Sequence, residues 1–259
     1  MDLRSLRAFI FDLDGCVYTG NTLVPGVQAF LQELREKDRR ILFLTNNSRE
    51  GGEELQAKLA RLGILATREE ILSAVEIVGP LIRDRFGPSP ILVIGGETLR
   101  RLLAEAGHSL VPLEAYGEAR VVVLGHDFDF DYQKLTAASR AVASGAAFLA
   151  VNVDPRLPVE DGEFYPGCGT LAEAVAAAAG VKPEVVGKPM PHIFRVALHR
   201  LGVPADEAAM VGDSLTSDVQ GAQAVGLKTI WLAPPGTAAG DVRPDLTIRD
   251  FTEVLGRLR

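Results

Sequence analysis

The chain has too little cysteine for a disulfide framework. Cys16 and Cys168 are the only two in 259 residues, and neither has partners at the spacing of a zinc site. They read as small semi-buried side chains. Long apolar runs are also missing. Residues 119–125 form one of the longer runs and already contain Arg120, far short of the roughly 20 residues of a membrane helix. Positive charge is scarce, with 27 Lys and Arg against 34 Asp and Glu for a formal charge of −7. No basic block is long enough to follow a nucleic-acid backbone. The opening MDLRSLRAFIFDLDG places two acids just after its short apolar run, so a signal peptide is not expected. These absences point to a cytoplasmic protein with no nucleic-acid or membrane partner.

What is present is an ordinary globular composition, 47% hydrophobic and 24% charged. The length lies between one large domain and two small ones. Short apolar runs at 8–11, 41–44, 91–94, 121–124, 148–151, 208–211 and 229–232 suit buried strands. Helical periodicity separates most of them. Val27, Phe30, Leu31 and Leu34 share one face, and Leu55, Leu59 and Leu62 another, with Gly63 positioned as a left-handed cap. Residues 191–201 and 218–225 read as further helices, ended by Gly202 and Gly226. Such alternation predicts an α/β fold with a doubly wound parallel sheet. Composition shifts near Gly79–Pro80 and 180–183. The stretch between has its own alternation, with helices expected near 97–106, 132–144 and 171–179.

The chemistry gathers where strands end. The run 8–11 leads into Asp12-Leu13-Asp14-Gly15, and residues two apart on an extended chain point the same way. The run 208–211 leads into Gly212-Asp213, with Asp218 five residues on. If the two strand ends are neighbours, four acids crowd one pocket at the sheet edge where ligands bind. An oxygen-only donor set of this kind suits Mg²⁺ better than zinc. Lys188 in Gly187-Lys188-Pro189 is a candidate counter-charge. Thr45-Asn46-Asn47-Ser48, directly after the run 41–44, offers hydroxyl and amide groups for phosphate oxygens. Taken singly, an Asp at a strand end is a turn or cap residue and residues 45–48 a polar loop. The joint pattern carries the argument.

In that order DLDG with the following Tyr18, TNNS, GKP and GDSLTSD resemble the four motifs of the haloacid-dehalogenase (HAD) superfamily phosphatases. The insertion between TNNS and GKP resembles the C2-type cap of subfamily IIA, the NagD-like branch with p-nitrophenyl, phosphoglycolate and pyridoxal phosphate phosphatases. GHDFDFDY at 125–132, Asn152-Val153-Asp154 and Pro166-Gly167-Cys168-Gly169 are familiar cap stretches. The resemblance implies a Rossmann-like HAD core of residues 1–79 and 184–259, interrupted by an α/β C2-type cap of residues 80–183. It implies Asp12 as nucleophile forming an aspartyl-phosphate and Asp14 as general acid and base. It implies Mg²⁺ on Asp12, the Asp14 backbone carbonyl and Asp213, with Asp218 in support. Thr45, Asn46, Asn47 and Lys188 would bind phosphate, and Asn152, Asp154, Arg156, Glu160 and Tyr165 in the cap would supply specificity. The expected activity is Mg²⁺-dependent hydrolysis of a small phosphorylated metabolite, p-nitrophenyl phosphate included. A homodimer paired through the cap is a further expectation.

Leu157 stands where pyridoxal phosphate phosphatases carry a substrate-touching His, which counts against that substrate. Arg156-Leu157-Pro158 resembles the phosphoglycolate phosphatases. Alternatives within the superfamily are a phosphotransferase and a catalytically silent phosphate-binding regulator, although the latter would have lost an acid or the lysine. His108, His126, His192 and His199 lack motif partners and read as structural, Trp231 reads as core, and the four acids in 117–132 read as a solvated edge.

Overall fold

The structure is a computed structural model that describes residues 1–158 and 163–258. Glu160 lies outside the described residues. The chain opens with β1 (Ala8–Phe11), β2 (Tyr18–Thr19), β3 (Thr22–Leu23), α1 (Val27–Glu36), β4 (Arg40–Thr45), α2 (Gly52–Arg61) and β5 (Ile71–Ser73). It continues with α3 (Ala74–Phe86), β6 (Pro90–Ile94), α4 (Glu97–Glu105), β7 (Ser109–Val111), β8 (Val121–Leu124), α5 (Tyr132–Ala143) and β9 (Ala147–Ala150). Then come β10 (Arg156–Pro158), β11 (Phe164–Pro166), α6 (Cys168–Ala179), β12 (Glu184–Val185), α7 (Pro191–Leu201) and β13 (Ala208–Gly212). A short α8 (Gly221–Gln223), β14 (Lys228–Leu232) and β15 (Leu246–Ile248) complete it.

These elements fall into two compact units, one of residues 1–45, 52–72 and 188–259, the other of residues 46–51 and 73–187. The first is a Rossmann-like α/β layer whose sheet runs β15-β14-β13-β1-β4-β5. Strand β1 pairs in parallel with β4 on one side and β13 on the other. The chain thus leaves β1 in one direction and later returns on its opposite flank, making a topological switch point at the C-terminal end of β1. Facing α1, Phe9 and Phe11 pack on Phe30, with ring centroids at 5.8 and 6.2 Å. Phe251 lies 5.7 Å from Phe30. Val27, Phe30, Leu31 and Leu34 are buried, as the periodicity requires.

In the second unit the parallel sheet runs β12-β9-β8-β6-β7. The hairpin β10–β11 stands apart as an antiparallel pair. Alanine-rich faces of α5 and α6 pack on Leu92, Ile94, Val122 and Leu124. His108 is buried here: Nδ1 accepts from the Ser89 N–H at 3.2 Å and Nε2 lies 3.0 Å from the Gly79 carbonyl.

Several expectations shift. The boundary expected at 79/80 falls inside α3, which carries Pro80 in its interior. Proline there forfeits one backbone hydrogen bond. The buried face Ala74, Val75, Ile77, Val78, Ile82 and the Glu76 carboxylate accepting from the Ser73 N–H at 3.1 Å keep the helix continuous. The helix expected over 218–225 is instead a π-type turn at Leu215–Gln220 followed by α8. Asp218 bends the backbone there because its carboxylate accepts from the Ser214 N–H at 3.0 Å. Nor are the acids of 117–132 uniformly solvated. Asp127 is buried in an ion pair with Lys134 at 2.8 Å, and Asp131 caps α5 by accepting from the Lys134 N–H.

Phe30 touches three aromatic rings from two segments of the chain and is fully buried. Phe30→Ala is expected to lower unfolding stability by about 3–5 kcal/mol, read from the midpoint shift in urea.

Candidate active site

The register of the central strands builds the site. Phe11 pairs with Val211, and the Asp12 N–H donates to the Val211 carbonyl at 2.9 Å. The next residue of each strand therefore emerges at the same sheet edge, Asp12 from one and Gly212-Asp213 from the other. Glycine at 212 is a steric requirement, because a Cβ there would run into the Asp218 carboxylate. At Gly15 two demands coincide: φ is +86°, and a Cβ would collide with the side chain of Asp213.

Asp12, Asp213 and Asp218 converge until a carboxylate oxygen of each lies within 4.8 Å of the others. The Lys188 ammonium sits among them, 2.6 Å from Asp12 Oδ1 and 2.7 Å from Asp218 Oδ1. Asp218 and Lys188 are buried, and Asp12 is nearly so. Burial raises the Asp12 carboxyl well above its usual range; Asp218 and Asp213 add to the rise and Lys188 opposes it. Asp213 is pushed up to about 6, chiefly by burial and then by Asp218. Burial works against the charge on Lys188, yet Asp12 and Asp218 outweigh it and its ammonium is held above the ordinary lysine range.

The donor set fits a hard divalent cation. It is all oxygen, and three carboxylates share space with one nearby ammonium, leaving an excess of negative charge if all are ionised. Asp218 is the least available ligand, since Oδ1 meets Lys188 and Oδ2 accepts from Ser214.

The remaining candidates separate. The Asp14 side chain lies outside the three-carboxylate cluster, is largely exposed at 59%, and approaches Lys58 Nζ at 3.8 Å. Thr45 ends β4 and is buried. Asn46 and Asn47 belong to the second unit. Asn47 is occupied within its own loop: Oδ1 accepts from the N–H of Arg49 and of Glu50 at 2.8 and 2.9 Å, and Nδ2 donates to Glu50. It organises the turn.

Among the specificity candidates, Asn152 is buried. Its Nδ2 donates to the Asn46 carbonyl at 2.6 Å and its Oδ1 accepts from the Asp154 N–H at 3.0 Å. Asn152 therefore pins two backbones. The Asp154 carbonyl accepts from Gly169. Arg156 lies over the Phe164 ring at 4.3 Å, and Tyr165 meets Phe128 edge to face at 5.4 Å.

Three features were not read from the sequence. The Trp231 indole N–H donates to the Asp213 carbonyl at 2.8 Å, so an expected core residue also fixes an acid's backbone. Phe128 is exposed and bears Arg49 at 5.0 Å and His126 at 4.5 Å. Lys58 stands over the Tyr18 ring at 4.0 Å. Tyr18 and Phe128 lie in stretches the motifs single out, but the pairings themselves join residues distant in sequence and leave no signal in one dimension.

Two family models match the chain, the haloacid dehalogenase-like hydrolase over residues 9–109 and the HAD-hydrolase-like over 185–254. The acid sugar phosphatase of Staphylococcus aureus is 31% identical, with 99% of each chain covered. The solved 4-nitrophenylphosphatase of Thermotoga maritima superposes with a TM-score of 0.91 at 30% identity over all of both chains. The glycerol phosphate phosphatase of Mycobacterium tuberculosis, in complex with magnesium, superposes with a TM-score of 0.87 at 30% identity, covering 97% of this chain and 77% of its own.

Lys188 is the charge that makes two buried acids tolerable. Lys188→Met is expected to cost about 3–5 kcal/mol of stability at pH 7. The loss should shrink towards pH 5, because protonating the stranded carboxylates removes their repulsion. Urea unfolding of metal-free protein at both pH values checks this, and an equal loss at both would contradict it.

Proposed function

Because the chain belongs to the haloacid dehalogenase-like hydrolases, as a phosphatase of the NagD-like branch, we propose that its carboxylate cluster hydrolyses small phosphomonoesters through a covalent aspartyl-phosphate on Asp12. The observation that carries this reading is Asp12 itself. It stands at the C-terminal end of β1, paired with Lys188 at 2.6 Å and grouped with Asp213 and Asp218.

In the first step an Asp12 oxygen attacks phosphorus, the phosphorus–oxygen ester bond breaks, and Asp14 gives its proton to the departing oxygen. In the second step Asp14 takes a proton from water, whose oxygen displaces Asp12 and releases inorganic phosphate. Exposure suits Asp14 to this exchange, because it must meet a leaving group and then a water. Lys188 and the Thr45 hydroxyl are assigned to the phosphoryl oxygens, with Asn46 as a further ligand. Asp12, the Asp14 backbone carbonyl and Asp213 would hold Mg²⁺, and Asp218, already tied to Lys188 and Ser214, would orient the set. Bound Mg²⁺ supplies the positive charge that lets an anionic nucleophile approach an anionic phosphate.

Leaving-group selection is assigned to the second unit, through Asp154, Arg156 and Tyr165, with Asn152 holding their loop. The relatives named for sugar phosphates and glycerol phosphate place small hydroxylated phosphates first in a substrate screen, beside phosphoglycolate and nucleoside monophosphates.

Asp12→Asn should lower kcat for p-nitrophenyl phosphate on the order of 10³-fold or more, with the circular dichroism of the folded protein preserved. EDTA should abolish wild-type phosphate release and Mg²⁺ restore it. A variant at near-normal rates would exclude the covalent route, and chelator-resistant activity would exclude the metal role.

A further inference from the structure

Asp14 and Asp12 are two residues apart and live in different surroundings. The Asp12 carboxylate is held by Lys188 inside the cluster. The Asp14 carboxyl projects outward, and an exposed side chain of this kind samples several rotamers unless something restrains it.

Its main chain is fixed by Tyr18. The two residues form an isolated bridge, the Gly15 N–H donates to the Tyr18 carbonyl at 2.8 Å, and the Tyr18 N–H donates to the Leu13 carbonyl at 3.2 Å. The Tyr18 ring is fully buried, so it is a fixed platform. Lys58 from α2 rests on it, with Nζ 4.0 Å from the ring centroid. The same ammonium is 3.8 Å from Asp14 Oδ1, and the Lys58 side chain is only 20% exposed. The neighbouring Leu55 and Leu59 are buried and anchor the helix that carries it.

One tyrosine therefore steadies both ends of this arrangement, the peptide of Asp14 and the cation that faces its carboxyl. An ion pair between two mobile surface chains contributes little, because both must be ordered to form it. Here the cation is ordered beforehand by its aromatic seat, which leaves the carboxyl as the group to be placed.

We propose that Lys58 is a positioning residue for Asp14, holding its carboxyl in one orientation for proton transfer to the leaving oxygen. This rests on Asp14 being the proton donor of the proposed reaction. Lys58 acts through where the carboxyl stands; it forms and breaks no bond with substrate.

The test exploits leaving-group basicity. An alkoxide needs its proton as the ester bond breaks, whereas p-nitrophenolate departs with far less help. The kcat/KM of Lys58→Met and Lys58→Arg is measured with glycerol phosphate and with p-nitrophenyl phosphate, because kcat/KM reports events up to leaving-group departure. Lys58→Met should lower the ratio of alkyl to aryl kcat/KM on the order of 10-fold, with the melting temperature held. Lys58→Arg, which keeps a cation able to stack on Tyr18, should restore most of that ratio. Equal loss on both substrates, or no loss on either, would overturn the proposal. Asp14→Asn in parallel separates the two claims. If it spares alkyl phosphate hydrolysis, the proton-donor reading fails and takes this one with it. If it abolishes that hydrolysis while Lys58→Met leaves the ratio intact, only the role of Lys58 fails.

Discussion

A single buried ammonium sets the terms for the first unit. Lys188 bonds Asp12 at the end of β1 and Asp218 in the turn after β13, joining segments from opposite ends of the sequence. Removing charges from water is costly, and the attraction offsets that cost only when the geometry is good. The parallel register of β1 and β13 supplies the geometry, because it delivers both acids to one sheet edge. Fold and site are thus one constraint: a slip of one residue between these strands would turn Asp12 to the other face and strand the lysine.

Close approach follows from that constraint. The cluster leaves no space for a side chain at 212, and Asp213 closes the space beside Gly15. In the π-type turn at Leu215–Gln220 the Asp218 carboxylate accepts from the otherwise unpaired N-cap N–H of Ser214, which holds it beside Lys188. Trp231 adds an anchor from β14. Each device restricts an acid that repulsion would otherwise push away.

Much of this was legible in the sequence. The apolar runs before Asp12, Thr45 and Asp213 correspond to β1, β4 and β13, since a buried parallel strand needs little beyond continuous hydrophobicity. Asp12, Asp213, Asp218 and Lys188 were placed together because they close an electrostatic argument that no one of them closes alone. What escaped depends on partners distant in sequence. Pro80 looked like a boundary, but capping and burial carry α3 through it. Asp127 looked solvated until Lys134 came within 2.8 Å. Asn47 bonds the backbone of its own loop, and Asn152 reaches the Asn46 carbonyl from far along the chain. Short strands such as β5, β7 and β15 carry too few residues for a periodic signal.

In the proposed reaction Asp12 and Asp14, from one strand end, take two chemical roles. Both belong to the same tetrapeptide, and alternation would give them the same direction. The chain bends at Leu13, between the two, and a turn closed by the Gly15 N–H on the Tyr18 carbonyl follows. Asp12 stays within the cluster, where burial raises its carboxyl and Lys188 opposes the rise, favouring the charged form that a nucleophile requires. Asp14 is turned outward beside Lys58, where water can reach it and a proton can be returned after each transfer. A nucleophile benefits from being held and desolvated, whereas a proton shuttle must meet two different partners in sequence. Glycine at 15 lets the chain turn away directly after Asp14, since its φ of +86° suits a residue without a Cβ and leaves room for the Asp213 side chain.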